Sequence, residues 1–268
     1  MRIRRLGWAG IELEADGHTA LIDLLQDITS LVEFVGEARD ALPPPTPGAS
    51  VALVTHLHSD HCDPPAIAAA LAPGALLLRP APSTAGDFLE EAALTPAEDG
   101  LAALDVPTRI VEPWETLTAG PFEITALPAA DGLGDPQVSW VVAADGQRVA
   151  HFGDTLFHGW WWRFALRYGP FDVAFLPVNG AVVDFPHRQP PSPLPADLDP
   201  RAAAVAAAAL GAGEAVPIHH TTLHHPPIYA EVDDPVGTFV AEAAARAVAT
   251  RVLEPGEAFE LGDPVAQS

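Results

Sequence analysis

The pattern of apolar and polar positions opens with strands. Ile11-Glu12-Leu13-Glu14 alternates, Asp16-Gly17 marks a turn and Thr19-Ala20-Leu21-Ile22 resumes. This predicts a β-hairpin, closed by Asp23. Residues 28–36 read as a short helix or an irregular excursion, and the proline-rich residues 43–48 as a loop. Residues 50–55 are nearly all apolar and rich in β-formers, the mark of a strand buried on both faces. Asp63-Pro64-Pro65 then supplies a cap and a first turn for a helix over 66–71 that stops near Pro73-Gly74. Further strands are expected at 76–78, 122–127, 171–178, 215–218 and 258–261. Residues 138–143 and 147–152 flank Asp145-Gly146 as a second hairpin. Helices are expected at 157–168, at 200–210 before Gly211, and at 234–250, with a proline-rich loop over 185–200.

Strands dominate early and helices are interspersed, without the strict alternation of a doubly wound sheet. Two β-rich halves with helices outside predict an α+β four-layer αβ/βα sandwich. No short repeat and no linker divides the chain, so residues 1–268 are expected to form a single domain.

Composition narrows the chemistry. The chain has 13 Arg and no Lys, against 36 Asp plus Glu, a formal charge of −23. Without Lys there is no Schiff-base catalysis and no P-loop lysine. A single Cys excludes an internal disulfide, a Cys-rich zinc site and a protein-held iron–sulfur cluster. The charge opposes nucleic-acid backbones and anionic membranes, whose binding normally needs Lys/Arg patches. Glu12 and Glu14 interrupt any apolar stretch after the basic Met1–Arg5, and no apolar run reaches the roughly 18 residues of a membrane helix. A cytoplasmic protein with a small-molecule substrate is expected. A homo-oligomer is left open.

The densest chemical signal is Thr55-His56-Leu57-His58-Ser59-Asp60-His61-Cys62-Asp63, directly after the buried strand. His56 and His58 share one side of an extended backbone, and Asp60 and His61 follow in the next turn. Three imidazoles and a carboxylate within six residues suit a divalent transition metal. A solvated polar loop is the plain alternative. Gly153-Asp154-Thr155, after another strand, is weak alone, since an acid at a strand end is often a cap or turn former. Val216-Pro217-Ile218-His219-His220 again runs a strand into histidines, with His224 and His225 close behind.

In this order the pieces resemble the metallo-β-lactamase superfamily, and more narrowly its L-ascorbate-6-phosphate-lactonase-like and N-acyl-phosphatidylethanolamine phospholipase D-like branches. The hairpin ending at Asp23 is similar to the family's first hairpin. Thr55–Asp63 matches its signature loop, and Gly153-Asp154-Thr155 its bridging-aspartate motif. Residues 168–177 and 216–219 match later segments. The resemblance implies the metallo-β-lactamase fold and two divalent ions, zinc, manganese or iron. It places His56 and His58 at the first ion, Asp60, His61 and His219 at the second, and Asp154 between them. It implies a metal-bridging hydroxide as nucleophile, oriented by catalytic Asp60. The substrate would be a small phosphodiester, lactone or amide-like molecule. Asp23 is the expected partner of one imidazole.

One departure is serious. The family's third histidine for the first ion falls on Asp131 in Leu127-Pro128-Ala129-Ala130-Asp131-Gly132. Asp131 is then a substitute oxygen ligand, favouring manganese or iron over zinc. Otherwise His158 or His187 fills the gap, or the first site is weak or empty. The last case carries the alternative function, a non-catalytic metal- or ligand-binding protein. Trp8 also stands where the family often has a histidine. Cys62 reads as a small buried thiol. Trp160-Trp161-Trp162 cannot all face inward on a helix, so part of the triplet packs and the rest is free to line a pocket rim. At least one of His220, His224 and His225 is weighed as a pocket residue.

Overall fold

A computed structural model of the chain describes residues 1–83 and 88–262. The first sheet starts as an antiparallel run of β1 (Arg2–Gly7), β2 (Gly10–Ala15) and β3 (His18–Ile22). Ile11 lies opposite Ile22, so the expected hairpin forms in register. After α1 (Val32–Val35), β4 (Ala49–Leu53) adds parallel to β3. The crossovers α2 (Pro64–Ala70) and α3 (Phe88–Ala102) lead to the parallel strands β5 (Leu71–Arg79) and β6 (Thr108–Ile110). The second sheet is a meander of β7 (Thr116–Ala119), β8 (Phe122–Pro128), β9 (Val138–Ala144) and β10 (Gln147–His151). Crossing by α4 (Trp161–Tyr168), the chain adds β11 (Val173–Pro177) parallel to β10. The short β12 (Val182–Val183) follows. Then α5 (Pro200–Leu210) leads to β13 (Glu214–Ile218), parallel to β11. Finally β14 (Tyr229–Ala230) pairs with β12, α6 (Pro235–Ala244) packs outside, and β15 (Ala258–Glu260) returns to β1.

Three cores hold these layers. Between the sheets, Ile11, Ile22, Val51 and Leu53 meet Ile124, Trp140, Val149, Phe175 and Val216. On the outer face of the second sheet, Ala150, Ala174 and Leu176 pack under Trp161, Phe164, the alanines of α5 and Phe239. Outside the first sheet, Ala52, Val54 and Leu77 pack with Ile67 and Leu101. Successive residues of β4, β10 and β11 serve different cores, which is why these strands are apolar on both faces. The result is the expected four-layer sandwich of the metallo-β-lactamase fold.

Several boundaries differ from the sequence expectation. The α2 helix ends at Ala70 because Leu71 already pairs with Ala49, so Pro73-Gly74 falls inside β5. The helix expected from residue 157 starts only at Trp161. The last helix stops at Ala244, short of 250, because the following segment serves β13: Ala215 N–H donates to Ala249 O, and Arg251 N–H to Ala215 O. Tertiary pairing overrides the helix propensity of this Ala-rich stretch. Asp63 caps α2 as read, its carboxylate accepting from Ala66 N–H, and Gly211 closes α5 in the left-handed region; Asp199, with no such reading from the sequence, caps α5 by accepting from Ala202 N–H.

Candidate metal centre

Strands β3, β4, β8, β10 and β13 end at one edge of the sandwich, and the loops leaving them carry the chemistry. Asp23 follows β3, His56–His61 follow β4, Asp131 follows β8, Asp154 follows β10 and His219 follows β13. Asp154 Oδ1 lies 2.9 Å from Nε2 of both His61 and His219, and its Oδ2 lies 3.7 Å from His56 Nε2. Asp60 Oδ2 is 3.5 Å from the same two Nε2 atoms. Among the described residues three donor groups result: Asp60, His61, Asp154 and His219 in the first, His56, His58 and Asp154 in the second, and His58, Asp131 and Asp135 in a third beside them. Asp154 belongs to the first two.

The backbone is shaped to bring these groups together. Gly153 has φ +55°, and a Cβ there would meet Thr55 Oγ1 at 2.7 Å, so only glycine lets Asp154 approach the signature loop. His219 itself sits at φ +57° and Asp23 at φ +50°, strain of a kind that concentrates at functional sites.

Outer partners fix the imidazoles. Asp23 Oδ2 lies 2.9 Å from His61 Nδ1, and Asp23 also accepts from Thr55 N–H and its hydroxyl. Asp23 therefore does what was expected of it. His219 Nδ1 faces Asp197 Oδ2 at 3.1 Å, and Asp135 Oδ2 lies 2.9 Å from His58 Nε2. Trp8 takes no ligand position; its ring lies against His219 and its indole N–H donates to Asp60 Oδ2 at 3.0 Å. Sequence reasoning missed Asp135 and Asp197, and neither has a local signal stronger than a loop aspartate.

The electrostatics are sharply divided. Burial opposes charge on His61, but Asp154, Asp60 and Asp23 push it up to about 10. Burial, reinforced by His61 and His58, pushes His56 down to about 3. Burial also works against charge on His58, which Asp131 and Asp135 nevertheless raise to about 9. Burial lifts the Asp197 carboxyl to about 6 against the pull of His219.

The donors fit a metal. Nε2 of His56, His61 and His219 and Oδ1 of Asp154 are buried and make no hydrogen bond, although Asp154 Oδ1 lies 2.9 Å from both His61 Nε2 and His219 Nε2. Buried polar atoms that converge without bonding are costly unless a cation satisfies them. The mixed nitrogen and oxygen set suits zinc, manganese or iron.

Asp131 stands beside the centre. Its Oδ2 is 3.9 Å from His58 Nδ1, and it groups with His58 and Asp135, not with His56 and Asp154. Neither alternative histidine joins a donor group among the described residues: His158 stacks on Trp161, and His187 on Phe185. Cys62 is buried in the outer core of the first sheet, where burial raises its thiol. Trp161 is fully buried, while Trp160 and Trp162 are exposed and line no part of the site. His220, His224 and His225 also stay outside it.

A cavity of about 380 Å³ opens over the centre. Its floor is His58, Asp60, Asp131, Asp154 and Asp197; its walls are Leu31, Phe34, Leu133, Val183, Phe185 and Tyr229. The proline-rich loop supplies Pro186, His187, Arg188 and Ala196 to the same wall, so this loop covers the site.

Comparison with known proteins bears on the family and the fold. The family model described as beta-lactamase superfamily domain matches residues 18–220. A UPF0173 metal-dependent hydrolase of Thermococcus kodakarensis is 30% identical over 253 residues, covering 91% of this chain and 97% of that protein. A solved metallo hydrolase from the archaeon Ignicoccus hospitalis superposes with a TM-score of 0.64 at 20% identity, over 97% of this chain and 98% of that one. CmlA, a diiron β-hydroxylase from Streptomyces venezuelae, reaches a TM-score of 0.69 at 16% identity, over 97% of this chain and 54% of that one. These two structures bear on the fold alone.

Proposed function

The chain belongs to the β-lactamase superfamily and is a metal-dependent hydrolase, and from this premise we propose that it hydrolyses a small, largely apolar lactone, amide-like molecule or phosphodiester. The carrying observation is the cavity, whose apolar walls end on a floor of histidines and carboxylates. Its volume suits a small molecule, and the charge of −23 disfavours nucleic acid.

His56, His58, Asp60, His61, Asp154 and His219 would hold two divalent ions, with Asp131 beside His58 at their margin. Such ions supply a hydroxide nucleophile at neutral pH and stabilise negative charge on the attacked group. The chain's own residues do the rest. Asp154, shared by the first two donor groups, sets their spacing. Asp60, steadied by the Trp8 indole N–H beside His61 and His219, would orient the nucleophile by accepting a hydrogen bond from it. Phe34, Val183 and Phe185 exclude water above the reacting bond. We assign the protein to the ascorbate-6-phosphate-lactonase-like or phospholipase D-like branch, as one cytoplasmic domain over residues 1–268. No helix among the described residues is long and apolar enough to cross a membrane.

The test is a rate screen of lactones, amides and phosphodiesters with zinc-, manganese- or iron-loaded protein. Chelator-sensitive turnover of one class supports the proposal. Turnover that survives chelation, or none in any class, refutes it.

A further inference from the structure

The two donor groups that share Asp154 are not equivalent, and the difference goes beyond the count of residues. In the group of Asp60, His61, Asp154 and His219, four side chains converge. Both imidazoles are backed by buried carboxylates, Asp23 behind His61 and Asp197 behind His219, and Asp60 is steadied by Trp8. In the other group three side chains converge. Among the described residues His56 is backed only by the neutral Thr55 hydroxyl at 3.0 Å. Asp135, behind His58, is shared with the Ser83 hydroxyl at 2.6 Å and with Arg188 at 3.2 Å.

A fourth donor for the weaker group would have to come from Asp131, which groups with His58 and Asp135 and not with His56 and Asp154, and whose carboxylate is held in that orientation by hydrogen bonds. Oδ1 accepts from Leu133 N–H at 2.6 Å. Gln137, with its amide turned so that its oxygen accepts from Asp154 and Thr155 N–H, donates to Oδ2 at 3.2 Å. The segment is also packed tightly from behind: a Cβ on Gly132 would lie 2.0 Å from Ala196 O, so the proline-rich loop lies directly against its back. A carboxylate is also shorter than the imidazole the family places there.

We infer that the chain holds its two ions unequally: one stays at Asp60, His61, Asp154 and His219, and the other binds at His56, His58 and Asp154 at least about a hundredfold more weakly. Loss of a single outer partner costs roughly 10–100-fold in metal affinity, and here a direct donor is withdrawn as well. The inference rests on the hydrolase reading above and specifies how that site is loaded.

The test is zinc binding by the full chain, stripped with chelator, then titrated against a chromophoric zinc competitor and measured by elemental analysis after desalting. The expected result is about one zinc retained per chain and a second bound at least about a hundredfold more weakly. Asp131→His should raise the retained zinc to about two. His56→Ala should keep the single retained ion, and His61→Ala should lose it. Should His61→Ala fail to fold, the wild-type titration and Asp131→His still decide. Two ions of affinity within about tenfold in the wild type overturn the inference while leaving the hydrolase reading standing. So does an unchanged stoichiometry in folded Asp131→His. A chain that binds neither zinc, manganese nor iron overturns both.

Discussion

Two histidine-rich segments follow buried strands in this chain, and they meet different fates. After β4, His56, His58 and His61 all turn into the site. After β13, only His219 does. His220 is buried away from the cavity, with burial and Arg5 pushing it down to about 3, while His224 and His225 lie half-exposed on the loop beyond. The segments are alike in density and differ in spacing. Residues two apart on extended chain share a side, whereas neighbours point apart. The left-handed kink at His219 and again at Thr221 then carries the rest of the second segment away. Spacing against a strand end is the better guide to a ligand than histidine number.

The contrast can be broken most sharply at its centre. His219→Ala should abolish retained zinc and lower kcat/KM by more than the roughly 100-fold upper range for an outer partner. Retained metal and activity would place the ligand elsewhere in the segment. Asp197→Asn should weaken zinc roughly 10–100-fold in competition titrations with the fold intact, because His219 loses only the group behind it. By contrast, His220→Ala should leave zinc stoichiometry unchanged and cost about 1–3 kcal/mol in denaturant unfolding, as a buried side chain lost from the interior does. Loss of metal from this variant would sink the division between neighbours. The smallest effect concerns His158, which burial against Trp161 pushes down to about 4. Its folded value lies below its unfolded one, so its stabilising neutral form is fully present above about pH 6.5 and is lost as pH falls toward 4. His158→Phe should flatten that acid limb slightly in pH-dependent melts.

Much of this was legible in the sequence, for physical reasons. The strands that position the site are buried on both faces, so they read as short apolar runs, and the donors stand immediately after them. The outer partners were not legible. Asp135 and Asp197 lie in loops where aspartate is ordinarily a turn former, and only the folded chain brings them behind His58 and His219. The edge strands β6 and β7 were missed for a different reason: all of β6 and half of β7 are exposed and show little apolar contrast. The sharing of Asp131 between Leu133 and Gln137 was equally beyond reach, since one partner is a backbone N–H and the other an ordinary glutamine.

The proline-rich loop touches everything at once. It places Asp197 behind His219, Arg188 against Asp135 and Ala196 against Gly132, and it walls the cavity with Phe185 and Pro186. A lineage that altered this segment to admit a new substrate would disturb both donor groups in the same step. Inherited taste for substrate and inherited taste for metal are thereby tied, and descendants of this sequence are expected to change them together rather than one at a time.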